Sequence, residues 1–180
     1  MPLNFEELEI PGVFKVQPAV YEDDRGYFKE TFRASQFIEA GLPPMVQSNV
    51  SWSRRNVLRG MHYQVDPDAQ GKLVGAALGE VYDAIVDVRP DSPTFGRWLS
   101  IVLSASNHTM IYVPPGFGHG FCVLSDEALV SYNTTAEFAP QSERGVLWND
   151  PAIGIEWPVK EPVISVKDRA LPLLSSLVAK

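Results

Sequence analysis

Turn-forming residues recur along this chain too often for long helices to fit between them. Fifteen prolines and thirteen glycines interrupt 180 residues, and the runs between them are short and rich in Val, Ile, Leu and aromatic side chains. Such runs, bounded by turn residues, read as strands. Candidate strands lie at 13–20, 57–64, 73–78, 81–88, 98–103, 109–113, 120–124, 128–134 and 163–166. Leu78-Gly79-Glu80, Pro90-Asp91-Ser92-Pro93 and Pro114-Pro115-Gly116 mark turns between them. One segment reads as a helix: Ser35 can cap it, Phe37 and Ile38 give an apolar face, and Gly41 can end it. Residues 171–179 suggest a second short helix. Many short strands with so little helix predict an all-β jelly roll or double-stranded β-helix barrel, because an open α/β sheet needs helices between its strands. The length predicts one domain over residues 1–180, large enough to bury a core without metals or disulfides.

The net charge of −7 argues against a nucleic-acid partner, which calls for a basic surplus. A small anionic ligand is not excluded, since local arginines matter there more than net charge. The one cysteine, Cys122, cannot form an intrachain disulfide and fits a reducing cytoplasm. It sits in an apolar run and reads as a small buried hydrophobe. The first residues lack the basic and apolar regions of a signal peptide, and no apolar stretch approaches the ~20 residues of a membrane span. A cytoplasmic protein is therefore expected. No Gly-x-Ser-x-Gly elbow, P-loop or dinucleotide fingerprint is present, and cysteine-based zinc sites are excluded by the count.

The strand 81–88 alternates informatively. Tyr82, Ala84, Val86 and Val88 share one face; Val81, Asp83, Ile85 and Asp87 share the other, with Arg89 beyond. Two carboxylates on a half-apolar face imply a polar pocket or structural ion pairs, and ion pairs are the simpler reading. Of the three histidines, His108 lies in a turn-like segment and reads as a solvated surface residue. His62 and His119 lie within strand and turn residues, where each is a satisfied core histidine or a catalyst. Arg25, Arg59 and Lys72 each adjoin a glycine, which permits close backbone approach. Arginine suits bidentate phosphate binding. Tyr132 lies mid-strand and needs a hydroxyl partner if buried.

These segments together resemble the dTDP-4-dehydrorhamnose 3,5-epimerase family. The resemblance is carried by Asp23-Asp24-Arg25-Gly26-Tyr27-Phe28-Lys29-Glu30, Gln47-Ser48-Asn49-Val50-Ser51, Val57-Leu58-Arg59-Gly60-Met61-His62-Tyr63-Gln64 and Gln70-Gly71-Lys72-Leu73-Val74. It continues through Val86-Asp87-Val88-Arg89, Ser92-Pro93-Thr94-Phe95-Gly96, residues 114–121, Glu143-Arg144-Gly145, Trp148-Asn149-Asp150-Pro151 and Ser165-Val166-Lys167-Asp168. The blocks run in family order from residue 23 to 168.

The resemblance implies a homodimeric cupin-like barrel acting on a dTDP-sugar without metal or cofactor. It implies His62 as general base oriented by Asp168, Tyr132 as the acid on the opposite face of the sugar, and Lys72 as the cation that stabilises the enolate. Arg25, Glu30, Gln47, Asn49, Arg59, His119, Glu143 and Lys167 match substrate-contact positions, with Arg25 and Arg59 suited to phosphate. Phe138 and Phe28 match base-contacting positions. The chemistry agrees with these residue types. Protons on the carbons flanking a ketone are acidic, histidine titrates near neutrality, and the enolate oxygen needs a cation. Gly75, Gly118 and Asn133 depart from the family's usual residues, and Gly75 is expected to remove a charge near the site.

Strand alternation sets one condition. A straight strand would turn Arg59 away from His62, so a bulge near Gly60 is expected to re-aim it. Three other readings compete: an epimerase acting at one carbon only, a metal-dependent cupin, and a non-catalytic sugar-nucleotide binding module. His62-Tyr63-Gln64 is a poor match to the His-x-His half of a metal-cupin signature.

Overall fold

The structure, a computed structural model, describes residues 2–178. The strands are β1 (Leu3–Glu7), β2 (Phe14–Pro18), β3 (Val20–Asp23), β4 (Gly26–Lys29), β5 (Gln47–Arg54), β6 (Leu58–Gln64) and β7 (Lys72–Leu78). They continue as β8 (Glu80–Asp87), β9 (Trp98–Ser104), β10 (Met110–Val113), β11 (Phe117–Val123), β12 (Glu127–Thr134) and β13 (Glu143–Gly145). Two short helices, α1 (Ala34–Glu39) and α2 (Val166–Arg169), complete the framework with two 3-10 turns at Pro140–Ser142 and Leu174–Leu177. Among the described residues no helix is long and apolar enough to cross a membrane.

Two antiparallel sheets make the body. One runs β1-β2-β10-β7-β12-β5 and the other β13-β6-β11-β8-β9, while β3 and β4 form a separate hairpin. The facing sides of the two sheets enclose Val74, Ile111 and Val130 from the first with Ile85, Phe117 and Phe121 from the second. This is the jelly roll that the turn spacing predicts, of the cupin-like kind that the resemblance implies. The outer side of the second sheet is covered by the C-terminal segment, with Ala84 and Val86 of β8 and Val88 just after it packed against Val146, Ile153, Ile155 and Leu174. The outer side of the first sheet is covered at one end by α1, whose Phe37 meets Leu73, Met110 and Tyr112. Sheet sides therefore alternate as period-two burial requires.

Several local expectations are corrected. Ser35 lies inside α1; the cap is Arg33, without a side-chain bond. Only Phe37 of that helix is buried, and Ile38 points to solvent at 63% exposure. Gly41 does close the helix in a left-handed conformation. The run 13–20 breaks at Ala19 into β2 and β3. The run 163–166 is not a strand: Val163 makes one isolated bridge to Val57 and Val166 opens α2. The expected tail helix is a single 3-10 turn, and Ala179 lies outside the described residues. His108 is half-buried and partnered rather than solvated. Cys122 is buried, and burial pushes its thiol up to about 11.

Candidate active site

The site begins with a bulge. Along β11, His119 pairs with His62, but Phe121 pairs with Arg59. Gly60 and Met61 together therefore face Gly120 alone, which is the two-against-one count of a β-bulge. Gly60 has φ +117°, and a Cβ there would lie 2.6 Å from both the Gly120 Cα and the His119 carbonyl oxygen. Only glycine fits so close a backbone approach. The consequence is the one strand alternation demanded: Arg59 and His62 line one cavity.

That cavity, about 580 Å³, is lined by Arg59, His62, Lys72, His119, Tyr132, Lys167 and Asp168 together with Ser51 and apolar side chains. A second, about 290 Å³, is lined by Gln47, Asn49, Phe138 and Glu143 and shares His62, Lys72 and Tyr132 with the first. His62 and Tyr132 thus come from opposing sheets and face the same space.

Asp168 reaches His62 because the C-terminal segment crosses the start of β6. The Leu58 N–H donates to the Val163 carbonyl at 2.9 Å, and α2 then starts at the Ser165 cap, whose hydroxyl accepts the Asp168 N–H at 3.0 Å. Asp168 is buried, with Oδ1 2.7 Å from His62 Nε2 and Oδ2 accepting the Gly60 N–H at 3.3 Å. Burial alone would raise its pKa; hydrogen bonds from His62, Gly60 and Ser165 and the His62 charge outweigh that and hold it below the usual carboxylate value. A carboxylate only accepts, so it assigns the proton to Nε2 and leaves Nδ1 as the basic nitrogen of a neutral ring.

Lys72 donates to the His62 carbonyl at 3.1 Å. Burial pulls its ammonium down to about 8, against the charges of Asp83 and Glu143. Burial also raises the Tyr132 phenol, opposed by Arg59 and aided by Glu143, so it stays protonated at neutral pH. Arg59, exposed, is tied by its Nε to the Ser53 hydroxyl at 2.9 Å. Gln47 donates to Asn49 at 2.8 Å and accepts the Phe138 N–H at 2.8 Å. Lys167 meets Glu143 at 2.6 Å.

Three expected contact residues lie outside this cleft in their own chain. Arg25 and Phe28 belong to the separate β3–β4 hairpin, where Arg25 pairs with Asp23 and Phe28 is exposed. Glu30 just beyond it pairs with Arg33 at 2.7 Å. One residue of the site, Ser51, was not singled out from sequence, and Asp83, read there as one of two carboxylates in a polar pocket or an ion pair, stands behind the site through His119. Asp83 bonds His119 Nε2 at 2.9 Å, and its Oδ1 is buried without a hydrogen-bond partner among the described residues. Ser51 also has a buried hydroxyl with no partner among the described residues. Its signal was alternation with Gln47 and Asn49 on a strand too polar to be recognised as one. Gly75 is corrected as well. It pairs with Met110 on the outer side of its sheet, under α1, and no charge near the cleft is lost there. Among the described residues no group of three or more His, Cys, Asp or Glu is gathered to hold a metal ion.

Comparison with known proteins shows the family. A family model described as dTDP-4-dehydrorhamnose 3,5-epimerase matches residues 7–176. The dTDP-4-dehydrorhamnose 3,5-epimerase of Pseudomonas aeruginosa is 50% identical over 165 residues, covering 90% of this chain and 91% of that protein. The enzyme of the same name from Shigella flexneri is 49% identical over 168 residues, covering 92% and 93%. A crystal structure of a dTDP-6-deoxy-D-glucose-3,5-epimerase from Legionella pneumophila, in complex with dTDP-4-keto-L-rhamnose, superposes with a TM-score of 0.93 at 41% identity, covering 97% of this chain and 94% of that one.

Proposed function

The chain belongs to the dTDP-4-dehydrorhamnose 3,5-epimerase family, and we propose that it inverts C3 and C5 of dTDP-4-keto-6-deoxy-D-glucose to give dTDP-4-keto-L-rhamnose. The observation that carries this reading is the His62–Asp168 pair at 2.7 Å beside Lys72, across a common cavity from Tyr132. His62 Nδ1 takes a proton from the carbon next to the C4 ketone. The electron pair moves onto the ketone oxygen, and the Lys72 ammonium stabilises the enolate that forms. Asp168 holds the imidazole in the right tautomer and supports its positive charge. Tyr132 returns a proton from the other side of the ring, which inverts the carbon. His62 then gives its proton to solvent and the Tyr132 phenolate takes one back, and the cycle repeats at the second carbon. Arg59 supplies a guanidinium for the diphosphate, and Phe138 an aromatic face for the base.

Arg25 and Phe28 cannot serve the cleft of their own chain as placed. We assign them to the cleft of a second copy in a homodimer, where the hairpin supplies a guanidinium and an aromatic ring to the nucleotide.

Turnover in heavy water is the test. Deuterium at both C3 and C5 is expected, with His62→Ala abolishing the exchange while thymidine diphosphate still binds. Label at one carbon only would make this a single-position epimerase. Unchanged turnover in His62→Ala would reject the base.

A further inference from the structure

Among the described residues the β3–β4 hairpin has no sheet neighbour. A lone two-stranded hairpin is marginally stable, so its orientation depends on a few side-chain contacts. Its register pairs Glu22 with Tyr27, Tyr21 with Phe28 and Val20 with Lys29. Opposed residues share a face. Tyr27, Lys29 and Glu22 therefore lie on one side, Tyr21 and Phe28 on the other, with Arg25 at the tip.

The first side meets His108. The His108 ring packs edge-on to Tyr27 with centroids 4.7 Å apart, and its Nδ1 lies 3.2 Å from Lys29 Nζ. Lys29 in turn stands 5.7 Å from the Tyr27 ring centre. His108 is offered by a stiff turn. Its φ is +57°, its N–H donates to the Ser104 carbonyl at 3.1 Å, and the Asn107 side chain accepts the Ser104 and Thr109 N–H groups. The second side of the hairpin is bare: Phe28 is 59% and Tyr21 50% exposed.

We propose that His108 is a positioning residue, latching the hairpin through Lys29 and Tyr27 so that Phe28 and Arg25 stand outward to receive the nucleotide of the substrate. The proposal rests on the reading that these two residues contact substrate. An ammonium only donates, so His108 Nδ1 accepts and the latched ring is neutral. Protonation would set two cations 3.2 Å apart, with Glu22 the carboxylate that faces them. Burial and the Lys29 charge hold the His108 pKa below its ordinary value, against Glu22. The latch is therefore closed at neutral pH and opens only as pH falls below the usual histidine range.

The test is steady-state kinetics with limited trypsin digestion on the intact protein. His108→Asn suits the left-handed turn and removes the ring. It is expected to raise KM for the dTDP-sugar by ~10-fold, a loss typical of one weakened anchor. It should leave kcat within about twofold and speed cleavage after Arg25. Lys29→Met should do the same, and the double variant should be no worse than either single, because both remove one contact. If His108→Asn fails to fold, Lys29→Met decides. An unchanged KM with an unchanged digestion rate, or a kcat loss at constant KM, overturns the latch. Arg25→Ala separates the two ideas. If it leaves KM unchanged, the hairpin does not touch substrate and both readings fall; if it raises KM while His108→Asn does not, the latch alone falls.

Discussion

Strand β8 carries two wholly buried carboxylates, four residues apart on one face, and they are held in opposite ways. Asp87 is saturated. It accepts the Arg89 N–H and guanidinium at 2.7–3.0 Å, the Ser92 hydroxyl at 2.5 Å and the Thr94 hydroxyl at 2.6 Å. Among the described residues Asp83 accepts one bond, from His119, and keeps an oxygen unpartnered. A buried polar atom without a partner costs free energy, and here the open carboxylate is the one whose charge reaches Lys72 in the cleft. The saturated one pins the loop after β8, where Arg89 also stacks 4.5 Å from the Phe117 ring centre. Asp168 lies between these extremes, filled by His62 and Gly60. The same residue type on one barrel thus does structural or chemical work according to what completes it, and replacing each by asparagine separates the three.

Asp168→Asn should have the largest effect on turnover. The amide can hold the ring in the wrong tautomer and cannot support the imidazolium, so kcat should fall by roughly 10⁴-fold with KM little changed. A loss under tenfold in single-turnover proton exchange would mean that the carboxylate does not set the state of His62, and the contrast with Asp87 would lose its chemical arm.

Asp83→Asn should act through pH. Lys72 has been pulled by burial to about 8, and the Asp83 charge is the leading influence holding it up. Its ammonium is needed, so rate falls as pH rises through about 8 in the native protein. Without the Asp83 charge the ammonium is lost earlier, and the alkaline limb of the kcat profile should move down by about one pH unit. A uniformly slower enzyme with an unmoved limb would make Asp83 a packing residue like Asp87.

The turn spacing made the barrel legible, and the blocks around His62, Lys72 and Asp168 made the family legible. What stayed hidden follows from one physical inversion. Strand assignment supposes that apolar side chains face inward. In β5 the inward residues are Gln47, Asn49 and Ser51, because that end of the barrel is a polar cleft, while Val50 and Trp52 point out to solvent. The pattern is therefore reversed and the strand goes unrecognised. The long-range pairing of His62 with Asp168 was legible only through the resemblance. Residues 62 and 168 meet only because the C-terminal segment is tied to the start of β6, and nothing local encodes that crossing. The bulge at Gly60 was inferred because the resemblance required two residues on one face that alternation would separate. Gly75 failed for the mirror reason: nearness in sequence to Lys72 suggested nearness to the cleft, yet odd spacing places it under α1.

Asp87→Asn should leave turnover nearly untouched and spend its effect on stability. The Arg89, Ser92 and Thr94 hydrogen bonds outweigh the burial that would raise this carboxyl, and hold it at about 2 against an ordinary 3.8. A group with a depressed folded pKa stabilises above its unfolded value and loses that contribution as pH falls through the folded one. The native protein should therefore exceed the variant by about 2 kcal/mol at neutral pH, with the gap closing between about pH 4 and pH 2. Denaturant melts of both proteins across that range measure it directly. A gap that does not narrow in acid would show that the cluster's contribution is packing rather than charge, and a fall in kcat would mean that the loop it pins also shapes the cleft.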